Sequence, residues 1–208
     1  MNLTSRDPLV KKFLKDVNED LRSHSIRLKV YKKSIDPTFN IQGSFCEVSK
    51  ELCLIKERGF WLETLLHEYS HFWQWKTKDK SFWAYYGKDY EPIQRVEDWL
   101  SGKHPKYDES VRHSFNIIRR NEIECDLRAL RIAKKYDLPI DHTDYRRKAN
   151  AQLVMYHCIE HCRRWECRDG FWSLKKNKEM FGIIPTRFMR CYVKSLPQKL
   201  LETALEAF

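Results

Sequence analysis

Two histidines and a glutamate, closely spaced in the first half of the chain, form the pattern with the clearest chemistry. Residues 67–71 read His67-Glu68-Tyr69-Ser70-His71, an HExxH segment. Residues four apart on a helix lie one turn apart on the same side, so both imidazoles can reach one cation at ~2.0–2.1 Å. The intervening glutamate then lies beside the metal-bound water. The spacing predicts zinc bound by His67 and His71, with Glu68 as the catalytic general base.

The helix that carries this segment has a core face and a metal face. His67 and His71 project from one side, opposite an apolar stripe, so the core and the metal do not compete for the same side. The stripe consists of Leu62, Leu65, Leu66, Tyr69 and Trp73. The alternative is a pair of exposed or core histidines that bind no metal.

A third protein ligand is expected elsewhere, because a hydrolytic zinc centre normally takes three and leaves the fourth position for water. The stretch NEIECDLRALRIA (121–133) offers two glutamates on different sides of a helix. Glu122 is flanked by aliphatic residues and points inward, whereas Glu124 shares an exposed, charged side with Arg128. Glu122 is therefore the predicted third ligand, and Glu124 a surface residue.

One helical turn after Glu122, Asp126 is placed to accept the second ring N–H of a ligating histidine and so to fix its tautomer. An acidic group on an otherwise small, apolar strip is costly without a partner, and a metal-bound histidine supplies one. The alternative is an ordinary ion pair within the helix.

The two motifs together resemble the gluzincin branch of zinc metallopeptidases, most closely the small cytoplasmic minigluzincins, whose glutamate helix often reads E-x-E-A-D. Here that stretch is Glu122-Ile123-Glu124-Cys125-Asp126, and the resemblance covers residues 44–136. It implies His67, His71 and Glu122 as metal ligands, Glu68 as base, and a zincin-like fold with strands packed on the HExxH helix. Metzincins and SprT-like proteases also share HExxH but take a third histidine shortly downstream. The next histidine here is His104, which argues against both families and against a DNA–protein crosslink protease.

The gluzincin resemblance leaves one role unassigned, since such enzymes often have a His or Tyr that stabilises the oxyanion. Tyr156, His157 and His161 are candidates, of which His161 is chosen. Two further interpretations stay open for this stretch. His157 and His161 form a second metal site with Cys158 and Cys162, or they are polar residues at the boundary of a packed helix.

The pattern of apolar residues predicts strands first and helices afterwards, which is typical of an α+β domain with a small sheet beside a helical body. A helix is predicted over 8–23, strands over 26–32, 44–48 and 51–57, and the HExxH helix over 60–75. An aromatic, charged connection follows at 76–92, in which residues 82–90 either form a wall over a substrate or pack their rings within the protein. Further helices are predicted near 93–101, 109–136, 145–168 and 196–207.

Length and composition indicate one domain over residues 1–208, without linkers or repeats. The seven cysteines, an odd number, are expected to be reduced and buried. The first residues contain no signal-peptide core and no later run approaches a membrane span, so the predicted location is the cytoplasm, without membrane contact.

The formal charge of +10 is uneven along the chain. Residues 101–208 carry 22 Lys/Arg against 14 Asp/Glu, a net charge of +8. Such an excess can attract nucleic acid or an acidic partner, although no nucleic-acid motif accompanies it. The predicted function is zinc-dependent hydrolysis of protein or peptide substrates. The alternatives are a non-catalytic, zinc-stabilised basic module that binds nucleic acid or an acidic protein, and an amidase acting on a non-protein substrate.

Overall fold

The computed structural model describes residues 5–32, 42–56, 60–87, 91–164, 178–189 and 196–207. Within these ranges the chain begins with a helix and a three-stranded sheet and continues as a series of helices. This order confirms the predicted α+β class, with a small N-terminal sheet and a mainly helical second half. The elements in chain order are α1 (Pro8–Ser23), β1 (Arg27–Tyr31), β2 (Gly43–Cys46), β3 (Glu51–Ile55), α2 (Trp61–Lys76), α3 (Lys80–Tyr86), α4 (Glu91–Leu100), α5 (Glu109–Tyr136), α6 (His142–Cys162), α7 (Lys178–Ile183) and α8 (Gln198–Ala207).

The chain divides into two compact units. The first contains residues 1–78 and 125–141, and the second contains residues 79–124 and 142–208. The long helix α5 contributes its C-terminal part to the first unit and its N-terminal part to the second. The expectation of a single domain stays a prediction.

The sheet of the first unit is mixed. Its strand order is β1-β3-β2, in which β1 runs parallel to β3 and β2 runs antiparallel to it. A turn over residues 47–50 joins β2 to β3, and Lys50 adopts a left-handed conformation there, with φ of 57°. Among the described strands β3 is therefore central, while β1 and β2 each have one unpaired edge.

Helix α2 packs against β2 and β3. Leu52 and Leu54 of β3 and Leu65 and Leu66 of α2 are fully buried. The interface continues through Phe72, whose ring meets that of Phe45 edge to face at a centroid distance of 5.9 Å. The prediction of a sheet packed on the HExxH helix is confirmed.

Helix α1 holds the other side of α2. It begins with Asp7 as N-cap, whose carboxylate accepts from the amides of Leu9 and Val10. Its Phe13 packs edge to face against Tyr69, and the Asp20 carboxylate accepts a hydrogen bond of 2.7 Å from the Tyr69 hydroxyl. Burial, with the hydrogen bond to Asp20, raises the pKa of Tyr69. The tyrosine therefore stays a neutral donor that fixes α2 against α1.

The described elements of the second unit are all helices, and they correct two sequence-based expectations. Residues 80–86 were expected in a connection but form α3, because Asp79 caps its start by accepting from the Ser81 amide at 2.9 Å. Helix α6 ends at Cys162, earlier than the predicted 168. Arg163 takes a φ of 53°, and its guanidinium donates to the Trp99 carbonyl at 3.0 Å. Residues 165–168, like Cys167 and Cys191, lie outside the described residues.

Among the described residues, no helix combines the length and the apolar character that crossing a membrane requires.

Candidate metal centre

Helix α2 carries the histidines of the HExxH segment on a partly enclosed face of the first unit. His71 and Glu68 are each 8% exposed, and the His67 side chain is 18% exposed. The opposite face of the helix contributes Leu65, Leu66 and Phe72 to the core. The predicted division of α2 into a core face and a polar face is present, and Glu68 and His71 of the polar face are buried.

The two imidazoles face each other through one nitrogen each. The distance between His67 Nε2 and His71 Nε2 is 3.2 Å. The other nitrogens are held by acceptors, because His67 Nδ1 lies 2.9 Å from Asp126 Oδ1 and His71 Nδ1 lies 2.9 Å from Gln74 Oε1. A carboxylate oxygen or an amide oxygen only accepts hydrogen bonds, so both Nδ1 atoms carry protons. In neutral imidazoles both Nε2 atoms then present lone pairs to the same point.

Two lone pairs at this separation require a positive charge between or beside them. A cation satisfies both, since two nitrogens bound at ~2.0–2.1 Å to a tetrahedral zinc ion lie ~3.3 Å apart. A proton on one ring is the metal-free alternative. The donor chemistry and the spacing therefore fit a bound metal ion.

The charges around His67 favour a positive charge at this point. Burial lowers the pKa of His67 and is the largest single influence. The Cys125 side chain and the Asp126 carboxylate together outweigh burial, and they hold the pKa of His67 well above its ordinary value. Imidazoles surrounded in this way attract a proton or a metal ion, and these compete for the same nitrogens.

Cys125 of α5 lies beside this pair. The ligating atoms of His67, His71 and Cys125 all lie within 4.8 Å of one another, which makes them a group that could hold a metal ion. The thiol also has a second contact, because Cys125 Sγ donates to the backbone oxygen of His67 at 3.1 Å. The same sulfur lies 3.7 Å from His67 Nδ1, a nitrogen that already contacts Asp126. Cys125 is therefore both a candidate ligand and a support for the His67 backbone.

Glu122 lies in the second unit and is 7% exposed. Its Oε2 accepts a hydrogen bond of 2.9 Å from the side-chain amide of Gln152 on α6. Glu124, expected on the surface, is half-buried. The assignment of Glu122 as third ligand stays a prediction, as does the orienting role of Asp126, whose contact with His67 the structure contains.

Strand β2 passes close to the predicted base. A Cβ placed on Gly43 would lie 2.8 Å from Glu68 Cγ and 2.7 Å from Thr64 Cγ2. No real side chain tolerates such distances without a shift, so only glycine fits here. The absence of a side chain at Gly43 lets the edge strand approach Glu68.

His161, chosen for the oxyanion role, is exposed near the end of α6 in the second unit, and this role stays a prediction. His157 and Cys158 on the same helix are buried. In the described part of the chain, only the His67, His71 and Cys125 group has three or more ligating residues within reach of one ion. The described residues 157–162 therefore form no second group of this kind.

Three residues of the centre are missing from the sequence-based prediction. Gln74 follows His71 by three positions, and this helical spacing was a usable signal. Cys125 precedes Asp126 directly, but it was expected only as a buried apolar residue. Gly43 carries no recognisable signal, since its contact with Glu68 depends on strand placement.

Comparison with protein-family models, with curated proteins and with solved structures finds no match for this chain.

Proposed function

We propose that this chain is a zinc-dependent metallopeptidase of the gluzincin type that hydrolyses peptide bonds. His67 and His71 bind the metal, and Glu68 is the general base. Glu122 is the proposed third metal ligand, and Cys125 is the alternative. The proposed location is the cytoplasm.

One observation carries the proposal. The two Nε2 atoms lie 3.2 Å apart with both Nδ1 atoms engaged, and the glutamate directly after the first histidine is buried. Two imidazoles alone suit several transition metals. A purely structural site, however, has no need of a carboxylate at the position of Glu68. The combination favours hydrolysis over a metal that only holds the helices together.

In the proposed reaction, three residues of the first unit have separate roles beside the metal ligands. A bound zinc ion supplies a Lewis acid that polarises the scissile carbonyl and acidifies a water molecule. Glu68 accepts the proton from that water and returns it to the leaving amine. Asp126 and Gln74 hold the imidazoles in the tautomer that turns Nε2 toward the metal.

The proposed peptide substrate is supported by strand β2. It is an edge strand among the described strands, and its Gly43 lies against Glu68. An unpaired strand edge offers backbone donors and acceptors to an extended peptide. A peptide paired along β2 would bring its carbonyls near Glu68, a geometry that a small amide does not need.

The test measures metal content and peptide hydrolysis on the same preparations. Purified protein should contain about one zinc per chain by plasma mass spectrometry, and it should cleave a quenched-fluorescence peptide library. Glu68→Gln should keep the zinc and the unfolding midpoint but reduce kcat by about 10²–10⁴-fold, because only the proton acceptor is removed.

The matched control is Glu19→Gln, the same chemical change at an exposed position on α1. It should leave zinc content and hydrolysis unchanged. Full proteolysis by Glu68→Gln would show that the base is assigned wrongly. Zinc-loaded protein that cleaves no peptide in the library would show that the metal does not serve a peptidase.

A further inference from the structure

The second unit contains a cavity of about 920 Å³ that the proposed peptidase chemistry does not use. Its walls come from α4, the segment before α5, the first turns of α5, the end of α6, and α8 with the residues before it. Sites for small molecules are typically ~300–1,000 Å³, with mainly apolar walls and a few placed polar groups. The wall residues used below are Trp99, Tyr107, Arg112, Arg119, Glu160 and Leu201.

The acidic group deepest in this wall is already satisfied by the protein. Arg119 is 2% exposed and donates from Nη1 to Glu160 Oε2, while its Nη2 donates to Asn116 Oδ1 at 2.7 Å. The Tyr107 hydroxyl donates to the other oxygen of Glu160. Burial and this hydrogen bond raise the pKa of Tyr107, so it stays a neutral donor. Both oxygens of the carboxylate are therefore engaged, which reduces its repulsion of a second acceptor.

Two N–H donors on residues of this wall have no acceptor in the part of the chain that the structure describes. They are Arg119 Nε and Trp99 Nε1, and both atoms are buried. Nearly all buried N–H groups in proteins are paired, so two unpaired donors on residues that line one cavity are unusual. A small rotation of these side chains would admit a ligand with acceptor oxygens. Such a ligand would supply a hydrogen-bond acceptor to both N–H groups.

The remaining wall residues indicate the charge and shape of that ligand. The second glutamate of the wall, Glu109, forms an ion pair with Arg112, so both wall carboxylates are neutralised by arginines. His113 and His161 add imidazole donors near the opening. Tyr107 is 47% exposed, and its ring lies 5.4 Å from that of Trp99, which provides an aromatic surface.

We propose that this cavity binds a small molecule that carries both an oxyanion and a flat apolar body. The oxyanion, a carboxylate or a phosphate, accepts from Arg119 and Trp99. The apolar body packs on Tyr107 and Leu201. A charged acceptor matches a guanidinium better than a neutral one, because hydrogen bonds between charged groups are the stronger kind.

The experiment is calorimetric titration of the full chain with phenyl phosphate, benzoate and phenol. We expect one binding site per chain for phenyl phosphate or for benzoate, and the stronger of the two identifies the oxyanion. Phenol should bind at least about tenfold more weakly, because it lacks the charged acceptor.

Two variants remove the donors without removing the wall. Trp99→Phe keeps a ring but loses the indole N–H. Arg119→Lys keeps the positive charge beside Glu160 but loses Nε–H and the planar fork. Each should weaken the binding of the preferred anion about tenfold. Matched controls are Trp83→Phe, at an exposed tryptophan of α3, and Arg120→Lys, at the exposed neighbour of Arg119.

Three results would overturn the proposal. The first is that neither anion binds at millimolar concentration. The second is that phenol binds as tightly as the anions. The third is that Trp99→Phe and Arg119→Lys bind the anion as tightly as their controls do, which is also the result expected if the anion binds at the metal centre.

Discussion

In the first unit, Nε2 of His67 and Nε2 of His71 lie 3.2 Å apart and present two lone pairs to one point when both rings are neutral. In the second unit, the Arg119 and Trp99 side chains each bury an N–H group that has no acceptor among the described residues. The first region thus offers acceptors, and the second offers donors. The first arrangement suits a cation, and the second suits an oxyanion.

The difference also shows how each region is stabilised. Around the histidines, Asp126 and Gln74 occupy the outer nitrogens, and the inner nitrogens of the two rings lie against each other. Around Arg119, Glu160 and Asn116 take most of the guanidinium and leave only Nε. A buried polar network in which one group lacks a hydrogen-bond partner indicates a candidate ligand site. Without a ligand, that unsatisfied group destabilises the fold.

The largest expected effect concerns Glu122, the proposed third ligand of the cation site. Glu122→Gln should lower zinc affinity more than about 100-fold, because it removes the negative oxygen donor while keeping the side chain's size. Cys125→Ser should lower zinc affinity less than Glu122→Gln does, because Cys125 also donates to the His67 carbonyl and the hydroxyl can keep that contact. Competition with a chromogenic chelator measures both constants.

The controls are the same substitutions at neighbouring or equivalent positions. Glu124→Gln lies two residues from Glu122, and Cys158→Ser changes a fully buried cysteine of the second unit. Neither should alter zinc affinity. If Cys125→Ser loses zinc and Glu122→Gln keeps it, the donor set is His67, His71 and Cys125, and the gluzincin assignment is wrong.

A smaller effect is expected from the residue that orients His67. Asp126→Asn keeps an oxygen acceptor for Nδ1–H but removes the negative charge, so zinc affinity should fall about 10–100-fold. The protein should stay folded, because the amide fills the same volume. Asp108→Asn, which removes a capping carboxylate at the start of α5, is the control. It should affect stability without affecting zinc affinity, and a loss of zinc in that variant would indicate a general loss of structure.

Much of the first unit was predictable because its signals are local. Alternation of apolar residues indicated the strands, and the spacing of Leu65, Leu66 and Tyr69 indicated α2 and its core face. The pairing of β1 with β3 as parallel neighbours was not predictable, since β2 lies between them in the chain. Helix α3 was missed because the apolar residues of SFWAYY show no clear helical periodicity. Asp79 followed by Ser81 was nevertheless a usable capping signal.

The candidate site likewise contains residues that the sequence predicts and contacts that only the tertiary structure shows. His67, Glu68 and His71 follow from spacing within one helix. The contacts of Cys125 and Asp126 with His67 join residues almost 60 positions apart, so only tertiary structure sets their distances. The helical periodicity around Asp126 predicted an inward position on α5, and the residue is 4% exposed. The unpaired donors of Arg119 and Trp99 have no counterpart in the sequence, because a missing partner is visible only in three dimensions.

A more modest effect is expected at the approach of β2 to the base. Gly43→Ala forces a methyl group against Glu68 Cγ and Thr64 Cγ2, which should cost about 1–3 kcal/mol of the free energy of unfolding. It should also lower kcat severalfold by displacing Glu68, while zinc affinity stays unchanged. Gly182→Ala is the matched control, because an added Cβ there meets no atom within 4 Å. Equal kinetics for the two variants would show that the position of Glu68 does not depend on this contact.

The smallest effect on stability is expected from the hydrogen bond between Tyr136 and Asp16, which belongs to neither proposed binding site. The Tyr136 hydroxyl donates to Asp16 Oδ2 at 2.9 Å, and burial together with Asp16 raises the pKa of Tyr136 to about 12. Tyr136→Phe should cost about 1 kcal/mol of unfolding free energy and leave zinc and anion binding unchanged. Because the pKa is raised on folding, the contribution of Tyr136 is complete below pH ~10 and is lost as pH rises toward about 12. Urea unfolding of both proteins across that range should show the difference shrinking, and a constant difference would mean that the pair does not act through the tyrosine proton.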